Sequence, residues 1–77
     1  MEYYVKSVVP MIESNYDNFT MVEKTIADFF IQNRRKMDFS AKSISEKLYV
    51  SEASLSRFAK KCGYRGYREF VYQYEET

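Results

Sequence analysis

The sequence predicts an all-α fold, a compact bundle of five helices. Three observations carry that prediction. The 77 residues include only two Gly and one Pro, so there are few points at which a helix must break. Apolar residues recur three and four positions apart, the period of a helix face rather than the two-residue alternation of a strand. Apolar residues make up 45% of the chain and aromatic residues 18%, the latter being eight Tyr and six Phe. That is enough for a dense core in a chain short enough to bury only about 60% of its surface on folding. The same composition excludes disorder.

Taken in order, helices are expected near 9–17, 20–35, 40–48, 51–62 and 66–75. In the first, Val5, Val8, Val9, Ile12 and Tyr16 share a stripe, and Pro10, which has no amide donor, either kinks the helix or marks a start near Val9. Thr20 and Glu23 have the spacing of a capping box. They open a second helix that buries Val22, Ile26, Phe29 and Phe30 and places Arg34, Arg35 and Lys36 at its negative end. Ser40 caps a short third helix with Ala41, Ile44 and Leu48 on its apolar side. Ser51 caps the fourth, where Leu55, Phe58, Ala59 and Cys62 follow i, i+3, i+4, i+7 and Gly63 supplies the left-handed stop. Gly66 permits the next change of direction, and Tyr67, Phe70, Val71 and Tyr74 repeat the spacing in a fifth helix. No internal repeat, linker or low-complexity tract interrupts the series, so the chain reads as one domain over residues 1–77.

Composition also excludes several functions. A single cysteine rules out an intrachain disulfide, and with no histidine a zinc ion would find only one soft ligand. Cys62 lies on an apolar stripe and reads as a small core residue. A general base would have to be a carboxylate or a lysine, and no glycine-rich phosphate cradle exists, so neither catalysis nor a cofactor is expected. No apolar run nears the roughly 18 residues of a membrane span, and the Met1-Glu2 start lacks the basic opening of a secretion signal. A cytoplasmic protein is expected.

The net charge of +1 conceals a strong segregation. Residues 1–33 carry two basic and five acidic side chains, net −3; residues 34–68 carry ten and three, net +7; residues 69–77 carry three acidic, net −3. A cationic middle between acidic flanks is the footprint of a polyanion-binding surface.

That middle segment holds a two-turn helix, a three-residue connection and a helix of about three turns, the dimensions of a helix-turn-helix whose second helix can enter the DNA major groove. Once its apolar stripe is assigned inward, the fourth helix leaves Ser51, Glu52, Ala53, Ser54, Ser56, Arg57, Lys60 and Lys61 outside. Small residues at the N-terminal end allow a close approach to a groove. Ser51 and Ser54 can donate to phosphates, Arg57 can fork onto a guanine edge, and Lys60 and Lys61 suit phosphates. The bland alternative is the solvated side of a surface helix. Against it, Lys42, Lys47, Arg65 and Arg68 bring cations from neighbouring elements, and of these Lys42 and Arg65 join the candidate contact set.

These residues resemble the N-terminal helix-turn-helix domain of RpiR-type bacterial transcriptional regulators. The likeness runs through residues 23–29, 43–48 and 50–58, and its most specific stretch runs from Val50-Ser51-Glu52-Ala53-Ser54 through Arg57-Phe58 and Lys60-Lys61 to Gly63-Tyr64-Arg65-Gly66-Tyr67. The resemblance implies an all-helical domain that binds double-stranded DNA and belongs to a homodimeric regulator of sugar or phosphosugar metabolism. It also implies a following sugar-isomerase-type domain that takes a phosphosugar effector. This sequence does not contain that domain, so it is expected to be a piece of a longer regulator with the effector site beyond Thr77. The sequence departs from the family twice. Tyr49 stands where the family usually has Gly in the turn, which costs on the order of 1 kcal/mol if its φ is positive. Ser43 stands where an acidic residue often completes a box with the cap of the third helix.

Two rival readings stand beside this one. Gly63-Tyr64-Arg65-Gly66 is the G-x-x-G of a KH-type RNA clamp, but that fold needs a three-stranded sheet and no run alternates as a strand must. Tyr3, Tyr4, Tyr64 and Tyr72 exceed what so small a core is expected to hold and suggest a protein-interaction or dimerisation surface at the N-terminal arm.

Overall fold

The computed structural model describes residues 8–76 and contains five α-helices: α1 (Val9–Ser14), α2 (Met21–Gln32), α3 (Ala41–Leu48), α4 (Glu52–Lys61) and α5 (Tyr67–Glu76). Among the described residues there is no strand, so the sheet that a KH fold requires is missing. Val5, Tyr3 and Tyr4 lie outside the described residues.

The first expected helix, 9–17, divides into α1 and a separate 3₁₀ turn over Tyr16–Asn18. The Asn15 side-chain amide donates to the Met11 carbonyl at 2.8 Å, and the Ser14 hydroxyl donates to the same oxygen at 3.1 Å. Side chains thus supplant the backbone ladder where the helix ends. The second helix stops at Gln32 rather than 35, because Asn33 turns to extended backbone (φ −68°, ψ 135°) and its side-chain Nδ2 donates to the Arg35 carbonyl at 2.8 Å. Of the three cations expected at the negative end, Arg34 reaches it, donating to the Ile31 carbonyl at 3.0 Å.

The capping box of α2 forms in full: Thr20 Oγ1 accepts from the Glu23 amide at 3.1 Å, and Glu23 Oε1 accepts from the Thr20 amide at 2.9 Å. The buried stripe, however, is Glu23, Ile26, Ala27 and Phe30, and the expected core residue Val22 is 46% exposed. The helix is rotated so that a carboxylate takes the inward place, which is possible because Lys61 of α4 meets Glu23 Oε1 at 2.7 Å. Lys61 also donates to the Asn18 carbonyl at 3.0 Å.

Ser40 caps α3 by accepting from the Ser43 amide at 3.2 Å. The reciprocal bond that Ser43 cannot supply comes from Asp38, which accepts from the Ser40 amide at 2.9 Å and from the Ser43 hydroxyl at 2.7 Å. Those bonds, led by that from the Ser43 hydroxyl, hold the Asp38 carboxyl below its ordinary value of 3.8. After α3, Tyr49 does adopt the left-handed conformation (φ 59°, ψ 43°), and the Val50 amide returns to the Ser45 carbonyl at 3.0 Å. Gly63 (φ 101°) closes α4 in the same way: its amide donates to the Lys60 carbonyl at 3.0 Å and that of Tyr64 to the Ala59 carbonyl at 3.1 Å.

The core is aromatic. Phe30 of α2, Phe58 of α4 and Phe70 of α5 are fully buried and meet edge to face at 4.8 Å (Phe30 to Phe70) and 5.2 Å (Phe58 to Phe70), with Phe30 and Phe58 stacked at 6.2 Å. Phe19, Phe39, Tyr67 and Tyr74 extend the cluster. The Tyr67 hydroxyl donates to the Phe39 carbonyl at 2.7 Å, which ties α5 to the segment leading into α3. Tyr64, expected outside, packs edge-on against Phe70 at 5.7 Å, whereas Tyr72 is 62% exposed. Cys62 is buried, and burial, with Glu23 nearby, pushes its thiol up to about 12, so it is a core residue rather than a nucleophile.

Two outcomes are expected for stability. Tyr49→Gly relieves left-handed strain at a 94% exposed position and should raise unfolding stability by about 0.5 to 1 kcal/mol, read by urea denaturation; a loss would show that the tyrosine ring stabilises the turn. For Glu23, burial raises the carboxyl pKa, but the bonds from Lys61 and the Thr20 amide outweigh it and leave it below the ordinary 4.5. Its stabilisation is therefore complete above that value and is lost as pH falls through the lower folded value. Acid unfolding curves of Glu23→Gln should be flatter below pH 4.5 than those of the parent chain. Lys61→Ala should cost about 1 to 3 kcal/mol by leaving the carboxylate without its cation.

Candidate nucleic-acid interface

The helix-turn-helix consists of α3, the connection Tyr49-Val50-Ser51 and α4. Ile44 of α3 and Leu55, Phe58 and Ala59 of α4 are buried, with Leu48 packed against them, so the inward faces of the two helices settle which residues of α4 turn out. Four residues share the outward stripe at i, i+3, i+4, i+7: Ala53, Ser56, Arg57 and Lys60. Ser56 is half-buried and the other three are exposed, while Ser51 and Glu52 stand exposed at the N-terminal end. Six of the eight residues singled out on this helix are thus presented together.

The other two have partners within the fold: Ser54 is buried, and Lys61, though exposed, is ion-paired. Ser54 is 6% exposed and sits at the centre of a hydrogen-bond chain. Its amide donates to Ser51 Oγ at 3.0 Å, its hydroxyl lies 2.9 Å from that same oxygen, and it accepts from Arg57 Nη2 at 3.2 Å. Ser54 thus links the Ser51 cap to the Arg57 guanidinium. Lys61, seven residues further along the same flank, is held by Glu23 and Asn18. Lys60, the neighbouring lysine at the end of α4, forms no ion pair among the described residues. Helical spacing reports neither the burial of Ser54 nor the ion pair of Lys61, because it treats every polar residue off the apolar stripe as solvent-facing and unpartnered; the partner of Lys61 lies 38 positions away in sequence.

Arg57 uses one of its five N–H donors on Ser54, and that bond draws the guanidinium toward the first turn of α4. The remaining donors can fork onto a base edge. Ser51 satisfies the Ser54 amide. Lys42 is exposed in the first turn of α3 and Arg65 is exposed between α4 and α5, so the candidate cations come from three elements, as the sequence suggests. Among the described residues no group of three or more His, Cys, Asp or Glu could hold a metal ion, and no helix is long and apolar enough to cross a membrane.

Comparison with known proteins agrees with this geometry. The family model for the helix-turn-helix domain of the rpiR family matches residues 6–76. An uncharacterized HTH-type transcriptional regulator of Thermotoga maritima is 38% identical over 65 residues, covering 82% of this chain and 23% of the relative. The HTH-type transcriptional regulator HexR of Pseudomonas aeruginosa is 27% identical over 74 residues, covering 95% of this chain and 26% of its own. The chain thus spans about a quarter of the length of these curated relatives. With its α3–α4 unit, its cationic outward stripe and a family match over nearly every residue, the chain belongs to the rpiR family of helix-turn-helix domains found in transcriptional regulators.

Proposed function

We propose that this domain reads a specific duplex DNA sequence by laying the N-terminal half of α4 in the major groove. The observation that carries this reading is the outward stripe of Ala53, Ser56, Arg57 and Lys60 on a helix that Ser51 caps. Small side chains come first and admit the backbone to the groove; Arg57 follows as the base reader, and Lys60, Lys42 and Arg65 contact phosphates. Ser51 and Glu52 lie where the helix enters the groove. A single copy making three to five phosphate contacts would bind weakly and with steep salt dependence, so useful specificity comes from a homodimer spanning two half-sites. In the whole cytoplasmic regulator, a separate sugar-isomerase-type domain would bind a phosphosugar effector and couple sugar metabolism to transcription.

The test is an amide-shift titration of the labelled chain with a mixed-sequence duplex at low salt and, separately, with single-stranded RNA. Shifts concentrated in residues 51–60 and at Lys42, seen with duplex alone and reversed by salt, are expected. Shifts centred on Gly63 to Gly66 with RNA alone would favour the clamp reading and overturn this one.

On a duplex selected from random sequence, Arg57→Ala should cost about 1 to 3 kcal/mol and less on random DNA, whereas Lys60→Ala should weaken both alike and reduce the salt slope by about 1. Ser54→Ala keeps the Ser51 cap on the residue 54 amide but frees Arg57. It should lower the preference for the selected sequence by about threefold to tenfold while leaving affinity for random DNA unchanged. Equal losses on both duplexes would show that Ser54 matters to the fold and not to Arg57.

A further inference from the structure

The aromatic residues of α5 divide between two faces. Tyr67 and Phe70 are buried in the core and Tyr74 packs against it, while Arg68, Val71, Tyr72 and Glu75, again at i, i+3, i+4, i+7, form a second stripe in which Val71 packs its inner side on the core and the other three are exposed. These four residues line a groove of about 470 Å³ that is completed by Tyr67 and by Phe39, Ser40 and Ala41 at the start of α3. Tyr72 is an exposed large hydrophobic side chain of α5, and Val71 is half-buried beside it. Arg68 and Glu75 flank this apolar pair, one on each side, and neither forms an ion pair among the described residues.

The stripe is complementary to itself. A twofold axis passing between Val71 and Tyr72 lays two α5 helices antiparallel. It sets Arg68 of each copy opposite Glu75 of the other, and Val71 of each opposite Tyr72 of the other. The apolar pair would be covered and all four charges matched, with no net charge to repel. No residue of α4 lines the groove, so this contact leaves the stripe from Ala53 to Lys60 open.

We propose that the α5 stripe is a dimer interface and that its occupant is a second copy of this chain, packed antiparallel through Val71 and Tyr72 with reciprocal Arg68–Glu75 pairs. This deepens the reading of the domain as part of a homodimer by naming the face. A single-helix contact falls at the small end of interface sizes, so association of the isolated domain should be weak.

The experiment is sedimentation equilibrium of the 77-residue chain without DNA, from about 10 µM to 1 mM, a range suited to weak association. Because DNA is absent, its outcome is independent of whether α4 reads a groove. The parent chain should pass from monomer to dimer across the range. Arg68→Glu alone and Glu75→Arg alone should each weaken association at least tenfold, since each places like charges face to face. An equimolar mixture of the two variants should associate again to within threefold of the parent, because both cross pairs are then attractive. Tyr72→Asp should abolish dimerisation, with helical circular dichroism confirming that it folds. A parent chain that stays monomeric at 1 mM, or a mixture no better than either variant alone, would overturn the proposal; the first result would leave the groove to another domain of the regulator.

Discussion

The contact on which the rest of this molecule depends is the meeting of Phe30, Phe58 and Phe70. Each comes from a different helix, each is fully buried, and their rings lie within 6.2 Å of one another. A chain of this size has room for one such cluster, and rings prefer the offset and edge-on geometries seen here. With Phe58 committed inward, Leu55, Ala59 and Cys62 follow by helical spacing, and Ala53, Ser56, Arg57 and Lys60 are forced out. The chemistry of the outward stripe is thus a consequence of where one phenylalanine packs.

Orientation about the axis does not by itself hold a helix ready to bind, and both ends of α4 are tied down as well. At the N-terminal end the Ser51 cap and the Ser54 hydroxyl lead to Arg57; at the C-terminal end Lys61 is fixed to Glu23, which also closes the capping box of α2. One carboxylate oxygen therefore starts α2 and secures the end of α4. Holding side chains in place before binding lowers the entropy lost in forming a complex. The arrangement withdraws one cation from a segment with a net charge of +7, and the gain is a fixed helix.

Much of this was legible in the residues. Caps announce themselves through short-range chemistry, so Thr20, Ser40 and Ser51 mark helix starts that the structure reproduces within a residue. The fourth and fifth helices carry regular apolar spacing and were placed with little error. What stayed hidden was polar and non-local. Apolar spacing favoured Val22 over Glu23 because a carboxylate is ordinarily expelled, and only the distant Lys61 reverses that preference. Asn15 and Asn33 end helices by bonding to backbone carbonyls, which no apolar periodicity reports. The missing partner of Ser40 at Ser43 looked like a loss because Asp38, outside the helix, was not counted as a cap residue.

The two outward stripes of the domain differ in electrostatic character, one cationic and one balanced, and that suits them to different partners. The α4 stripe carries Arg57 and Lys60 with no acid among its four residues, so two copies brought together through it would repel, whereas a polyanion would draw them both. The α5 stripe carries one charge of each sign around an apolar pair, so it offers a polyanion little and a copy of itself a great deal. If α4 meets DNA and α5 a second copy, as proposed, segregating the charge in this way keeps the faces from competing. A domain that used one cationic surface for both tasks would have to desolvate like charges against each other before it could grip DNA, and separating the stripes onto successive helices removes that conflict.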